Sequence, residues 1–350
     1  MNIVYNCNER FAGYTAVSIT SLFENNRDIP QIRVYILGNG LSAGSISRFQ
    51  DLAAGYQKEG RERFGSPGPQ HDGPAAFVRS VQILDLENYE SVLRMLFGSG
   101  LNTGSFDLTV LARLFAPSHL PDDVERYIYL DADTIVTGSI RELWETELKG
   151  CICAMAPEPT IYQETRSRLG IADTEPYFNS GMILTDRLRW EEERITAACI
   201  DYYGSVGGSG LSFPDQDILN VVLKGRILPV WQGWNFFSNY HYRSYRSLVK
   251  HAGWYGNYMT EKEYARARSK PAVVHFAGGE RPWIRGSCNP YKHAYRVYLA
   301  KSPWKGMRDI GGQELEMLAY HMTNMLTLYC PPARELISSL YYRYKIQNKH

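Results

Sequence analysis

The sequence predicts an α/β fold in which a sheet with parallel crossovers presents its ligand site at the carboxyl ends of the strands. Three observations carry this. Met1–Tyr5 reads as a short apolar strand, Tyr14–Asn25 as a helix with Val17 and Leu22 at core-facing spacing, and Ile32–Leu37 as a second strand. The apolar run Tyr127–Val136 carries Asp131-Ala132-Asp133 at its centre. Phe178–Leu184 reads as a buried strand entered through polar residues.

At 350 residues the chain has ample apolar content for one large domain or two ordinary ones. A net charge of +1 gives no global attraction to nucleic acid. The six cysteines have neither Cys-x-x-Cys spacing nor the density of a disulfide scaffold, which favours a reducing compartment. Met1–Asn6 lacks a positively charged stretch followed by an apolar one, and no run approaches the length of a membrane span, so a cytoplasmic protein is expected.

The first strand ends at Asn8-Glu9-Arg10-Phe11, and the second runs into Gly38-Asn39-Gly40-Leu41-Ser42-Ala43. The latter fits a loose dinucleotide-binding pattern, but the strand-ending acid that should follow about 20 residues on falls in the polar segment Gln57–Glu62. A strand-to-helix turn is the better reading. The glycines and prolines of Gly60–Ala76 predict a loop without regular structure. Phe106–Phe115 places Leu108, Leu111, Ala112 and Phe115 on one helical face, with Arg113 at the flank, where it is either solvated or in reach of a diphosphate.

Along a strand, Asp131 and Asp133 share a face and can aim two carboxylates at one point. Such a pair repels itself unless a cation lies between. Hard oxygen ligands suit Mg²⁺ or Mn²⁺, held by one or two carboxylates together with substrate phosphates. The plain alternative is a strand spilling acids into a turn.

Asn179 and Ser180 are candidates for sugar hydroxyls. Beyond a glycine-rich stretch at 204–210, Phe213–Asn220 begins a helix with Asp215, Gln216 and Asp217 in its first turn, where acids also serve as ordinary caps. Residues 231–258 are crowded with aromatic rings, suited to stacking on sugars or to a core. The strand Ala272–Phe276 carries His275, a possible nitrogen ligand, and Gly278-Gly279-Glu280-Arg281 follows. Small residues there let backbone amides approach a phosphate that Arg281 could neutralise. After Pro290 the pattern turns helical. Gln313–Leu328 reads as a packed helix and Glu335–His350 as a basic, aromatic one, fit either to dock on its own domain or to rest on an anionic membrane.

Five blocks in order resemble the retaining glycosyltransferases of family 8, which include bacterial lipopolysaccharide galactosyl- and glucosyltransferases and the glycogenins. They are Asn2–Tyr5 with Ala16–Ile19, Tyr129–Thr134, Tyr177–Gly181, Pro214–Asn220, and His275-Phe276 through Pro282-Trp283. The resemblance spans about residues 1–285, and the remainder, 286–350, reads as a C-terminal helical extension. It implies a GT-A fold, a mixed, mostly parallel central sheet flanked by helices, binding UDP-glucose or UDP-galactose. Asp131, Asp133 and His275 then match the holders of Mn²⁺ or Mg²⁺. Asn8, Arg10, Arg113, Ala132, Gly278 and Arg281, with the two acids, match the nucleotide-sugar site, and Asn179, Asp215 and Gln216 match residues around the transferred sugar. Where the family usually has Asp-Asp-Asn-Tyr, this chain has Asn8-Glu9-Arg10-Phe11, whose asparagine carbonyl can still accept from a uracil N–H. Arg281 replaces the usual lysine, keeping charge but changing geometry.

The resemblance implies retention at the anomeric carbon. A double displacement needs a nucleophile such as a carboxylate, and Gln216 is a poor one, so front-face attack is expected, with Gln216 and Asp215 steadying the positive sugar. The acceptor expected is a glycan or lipid-linked saccharide. Two other readings are open: a haloacid-dehalogenase-type phosphatase, which also uses Asp-x-Asp-x-Thr but wants a Gly-Asp element that this chain lacks, and a nucleotide-sugar-binding protein without turnover.

Overall fold

The computed structural model describes residues 1–64, 77–86, 88–98, 101–104, 107–207, 210–330, 333, 334, 336, 337 and 340. Among them, ten strands form two sheets. β1 (Asn2–Asn8), β2 (Gln31–Asn39), β3 (Val78–Asp85), β4 (Arg126–Leu130), β6 (Cys153–Pro157), β7 (Phe178–Asp186) and β8 (Ile227–Pro229) make a seven-stranded sheet in the order β3-β2-β1-β4-β7-β6-β8. β5 (Thr134–Val136), β9 (Phe236–Phe237) and β10 (Val273–His275) make a three-stranded one in the order β5-β10-β9. In the large sheet only β7 runs against its neighbours, β4 and β6. The fold is therefore the mixed, mostly parallel GT-A arrangement flanked by helices.

Side chains alternate along β1, so Val4 joins a core on one face while Ile3 and Tyr5 join a core on the other. Helix α1 (Ala12–Asn25) covers the second face with Ala16, Ile19, Leu22 and Phe23, and α2 (Ala43–Phe64) adds Phe49 and Leu52. Helix α2 takes in Gly60 to Phe64, so the expected loop does not begin at Gly60; residues 65–76 lie outside the described part. Gln57–Glu62 is helical, which removes the dinucleotide reading. Gly204 is likewise within a helix, Ile195–Val206.

The expected helix ending at Phe115 is a 3₁₀ helix, Leu108–Phe115, and Arg113 is buried instead of lying on a solvated flank. The aromatic stretch is mainly core: Phe236, Phe237, Tyr240, Trp254 and Tyr255 pack with Tyr264 and Tyr177. C-terminal helices Lys292–Lys301 and Glu314–Tyr329 are present. Tyr295, Leu299 and Met317 bury against Val17 of α1 and Ile135 and Val274 of the small sheet. The basic segment beyond residue 340 lies outside the described residues.

The two sheets join at the Asp-x-Asp. Strand β4 ends at Leu130 and β5 begins at Thr134, so the extended segment expected through Asp131–Asp133 is instead a turn by which the chain leaves one sheet for the other. A buried hydroxyl chain fixes that turn. The Tyr5 hydroxyl lies 3.0 Å from Ser18 Oγ, which lies 2.9 Å from Thr134 Oγ1, and Thr134 donates to the Asp131 carbonyl at 2.8 Å. Replacing Thr134 by valine keeps the shape but strips Ser18 and the Asp131 carbonyl of a partner. Thr134→Val should therefore lower stability by about 1–3 kcal/mol in a urea melt, the cost of buried polar groups left unsatisfied.

Candidate functional site

The carboxyl ends of β1 and β4, the amino end of β7 and the end of β10 share one edge. Parallel pairing puts Asn8 and Leu130 at the same side, and the antiparallel register Leu130↔Met182 brings Asn179–Gly181 beside them. The Asp131 N–H donates to the Gly181 carbonyl at 2.9 Å, and the Phe276 N–H to the Asp133 carbonyl at 2.9 Å.

Asp131, Asp133 and His275 converge. His275 Nε2 lies 3.2 Å from Asp133 Oδ1 and 3.7 Å from Asp131 Oδ2, all three residues offering ligand atoms within 4.8 Å of one another. The other ring nitrogen, Nδ1, is 3.0 Å from Asn235 Oδ1, whose amide nitrogen donates in turn to Asn179 Oδ1 at 2.7 Å. This network places a proton on Nδ1 and aims Nε2 at the two carboxylates, the orientation in which a histidine ligates a metal. Gly181 makes room for the ring, since a Cβ there would fall 2.3 Å from His275 Cε1. The donor set of two carboxylates and an imidazole fits a divalent cation.

Arg113 is the hinge of the site. Its guanidinium donates to Asp131 Oδ1 at 2.8 Å, to the Ser180 carbonyl at 2.7 Å and to Ser180 Oγ at 3.0 Å, and its Nε pairs with Asp215 Oδ2 at 3.0 Å. It also lies over the Tyr129 ring, 4.6 Å from the centroid. Burial would lower its pKa, but Asp131 and Asp215 outweigh burial and raise it. Burial likewise resists ionising the carboxylates. At Asp131 burial prevails and raises the pKa against Arg113 and His275, whereas at Asp133 His275 and Arg281 overcome burial and hold the carboxyl low. Arg281 Nη2 stands 3.5 Å from Asp133 Oδ2.

Asp215 and Asp217, adjacent but one in the first turn of the helix Pro214–Val222, part company. Asp217 accepts the Ser212 and Phe213 N–H groups at 2.6 and 3.0 Å, the ordinary structural use of such an acid, while Asp215 turns to Arg113 and to Ser180 Oγ at 2.7 Å. Gln216 is fully engaged: Oε1 accepts from Asn179 Nδ2 at 2.6 Å and the Ser180 N–H at 3.2 Å, and Nε2 donates to Tyr177 Oη at 2.9 Å and Glu158 Oε2 at 3.0 Å.

Asn8 is drawn into capping. Its Oδ1 accepts the Phe11 N–H at 3.2 Å, and Nδ2 is 3.4 Å from Asp107. Arg10 is exposed and, with Arg281, acts electrostatically on the Tyr14 hydroxyl. Ala132 sits within the turn, and Gly278, at φ +102°, holds a backbone form that favours glycine.

Sequence reasoning does not single out Glu158, Asn235 or Gly181. Glu158, just past β6, accepts from Asn179 Nδ2 and Gln216 Nε2, each at 3.0 Å. The one signal the sequence holds for it is an acid directly after the apolar run Cys153–Pro157. Asn235 hides among aromatics, and a glycine inside a buried strand was a hint of close approach.

The profile of the family described as Glycosyl transferase family 8 matches residues 2–286. The chain belongs to glycosyl transferase family 8. It is 26% identical over 309 residues to a lipopolysaccharide 1,2-glucosyltransferase of Escherichia coli (strain K12), covering 87% of this chain and 79% of the relative. It is 23% identical over 306 residues to general stress protein A of Bacillus subtilis (strain 168), covering 87% and 94%. Among solved structures, galactosyltransferase LgtC in complex with donor and acceptor sugar analogs superposes with a TM-score of 0.66 at 22% identity, over 87% of this chain and 99% of that one. A family 8 glycosyltransferase, not a phosphatase, is the enzyme class.

Burial raises the Glu158 carboxyl to about 7, against the hydrogen bonds of Asn179 and Gln216. A carboxyl raised on folding makes the fold lose stability as pH climbs from the ordinary carboxylate range through about 7, because the native state must then bear a buried charge. Glu158→Gln keeps an acceptor for both amides and removes the charge. Urea melts should show the variant matching wild type at pH 5 and exceeding it by on the order of 2 kcal/mol at pH 8.

Proposed function

We propose that this chain moves a hexose, glucose or galactose, from a UDP-sugar donor to a glycan or lipid-linked saccharide acceptor, with retention of configuration and dependence on Mn²⁺ or Mg²⁺. The observation that carries the reading is the convergence of Asp131, Asp133 and His275 Nε2 at the sheet's carboxyl edge, with Arg113 and Arg281 on either side. Those three residues would hold the ion, which when bound offsets the charge building on a departing diphosphate. Arg281, Arg10 and the backbone at Ala132 and Gly278 would receive the diphosphate. Asn8 keeps a second acceptor lone pair for a uracil N–H beyond the one used by Phe11. Asn179, Gln216 and Asp215 would surround the sugar.

Front-face attack is supported by how the sugar-side groups are held. Asp215 is tied to Arg113 and Ser180, and every hydrogen-bonding position of the Gln216 amide is in use, so neither is poised as a nucleophile. Departing phosphate oxygen would take the acceptor's proton as the new bond forms on the same face. Residues 1–285 would carry the chemistry and 286–350 form the extension. No helix among the described residues is long and apolar enough to cross a membrane. We place the enzyme in the cytoplasm, in peripheral contact with the membrane through the C-terminal segment; Leu315, Leu318, Met322 and Tyr329 expose apolar surface on the helix leading to it.

The test is hydrolysis of a panel of UDP-sugars without acceptor, with Mn²⁺, with Mg²⁺ and with chelator. Release of UDP from one hexose donor, abolished by chelator and reduced by roughly 100-fold or more in Asp133→Ala, is the expected result. Absence of both UDP release and calorimetric UDP binding would instead favour a protein that has lost the site. A slow fluorinated donor should leave the protein mass unchanged, and a hexosyl adduct on Asp215, Gln216 or Glu158 would overturn front-face attack.

A further inference from the structure

Behind the donor-side loop lies a second group of metal-ligating side chains, of different chemistry. Glu280 and Cys288 come from the connection between β10 and the helix Lys292–Lys301, and His321 from the helix Glu314–Tyr329, and their ligand atoms lie within 4.8 Å of one another. Glu280 is buried and firmly aimed. Its Oε1 accepts the Cys288 N–H at 3.0 Å, its Oε2 accepts Asn324 Nδ2 at 2.6 Å, and its backbone carbonyl accepts Asn289 Nδ2 at 2.6 Å. His321 Nδ1 is shielded from solvent and makes no hydrogen bond within the described residues; Glu280 Oε1 stands 3.5 Å away, at ion-pair distance. Cys288 is exposed, and its Sγ donates only a long hydrogen bond, 3.9 Å, to the Gly286 carbonyl. Thiol, imidazole nitrogen and a fixed carboxylate thus gather around one point, with no hydrogen bond joining the thiol or the imidazole nitrogen to the carboxylate.

We infer that Glu280, Cys288 and His321 form a second cation site, selective for Zn²⁺, that clamps the C-terminal helix to the loop carrying Arg281. A thiolate and an imidazole favour zinc, whereas the oxygen-rich Asp131–Asp133 group suits a harder ion. Three protein ligands suffice for zinc, with water in the fourth position. Binding deprotonates the Cys288 thiol, and the proton passes to solvent. The clamp has a mechanical meaning, because loop and helix already touch: a Cβ on Gly279 would fall 2.5 Å from Tyr320. One residue beyond Glu280, Arg281 reaches Asp133, so the ion would fix the arm that bears on the first site without joining it.

Co²⁺ reports the site directly, since thiolate ligation gives a near-ultraviolet charge-transfer band that oxygen ligation lacks. The full chain carrying Asp133→Asn, to remove the first site, is titrated with Co²⁺ and then displaced with Zn²⁺. One equivalent of Co²⁺ should produce the band and Zn²⁺ should abolish it. Adding Cys288→Ser should remove the band, and adding His321→Ala should weaken Zn²⁺ binding by more than the roughly 10–100-fold that loss of an outer partner costs. Cys330, the other exposed cysteine among the described residues, serves as control: Cys330→Ser should change nothing. Hydrogen exchange across residues 314–329 should slow with Zn²⁺. A missing band, or one that survives Cys288→Ser, overturns the site. Unchanged Zn²⁺ affinity in His321→Ala, or exchange indifferent to Zn²⁺, overturns the clamp.

Discussion

The structure around the candidate site depends on one buried cation. Arg113 is reached by four segments: its own 3₁₀ helix, the turn after β4 through Asp131, β7 through Ser180, and the helix Pro214–Val222 through Asp215. A planar fork with several fixed donors can do this, whereas the single ammonium of lysine could not serve two carboxylates, a carbonyl and a hydroxyl at their separate angles. The constraint also runs the other way. Asp131 and Asp215 would be unpaired buried charges without the guanidinium, so each side of the arrangement requires the other.

That dependence explains the short 3₁₀ helix. An exposed amphipathic helix, as the spacing of Leu108, Leu111, Ala112 and Phe115 suggests, would have left Arg113 on a solvated flank. The segment instead wedges between β1 and the Pro214–Val222 helix, with Leu111, Ala112, Leu114 and Phe115 all in the core. Nearly all-round burial leaves a polar side chain only one direction to go, toward the carboxylates at the strand ends. Propensity and periodicity do not contain that information, because tertiary packing supplies it.

Much of the rest was legible. Strands β1, β2, β7 and β10 follow from apolar runs between turn residues, and the residues that converge on the site were nameable because they sit at strand ends or at a helix start. What could not be read is where the chain changes sheets. An apolar strand through Asp131–Asp133 is the natural reading of period-2 alternation, yet the two carboxylates meet because the chain turns there and β10 brings His275 from a segment some 140 residues later. The aromatic stretch misleads for a related reason: rings with polar handles suit a sugar or a core equally, and only the packing of Phe236, Tyr240 and Tyr255 decides. Asp215 and Asp217 were indistinguishable as helix-start acids until one turned to the amides behind it and the other to Arg113.

Charge balance ties these details to the proposed chemistry. Asp131, Asp133, Asp215 and Glu158 bring four carboxyls to the site, while Arg113 and Arg281 bring two permanent cations. With His275 neutral and turned by Asn235, the group is short of positive charge, and the strain is visible: Asp131 and Glu158 are held above the ordinary carboxylate range, and His275, where burial alone would lower its pKa, is raised by Asp133 and Asp131. A proton on His275 relieves the excess in one way. A divalent ion at Nε2 relieves it more fully, and it leaves room for the negative charge of a diphosphate that a protonated histidine could match only in part. The same acids that are costly to bury alone are thus suited to a site completed by a cation and an anion together.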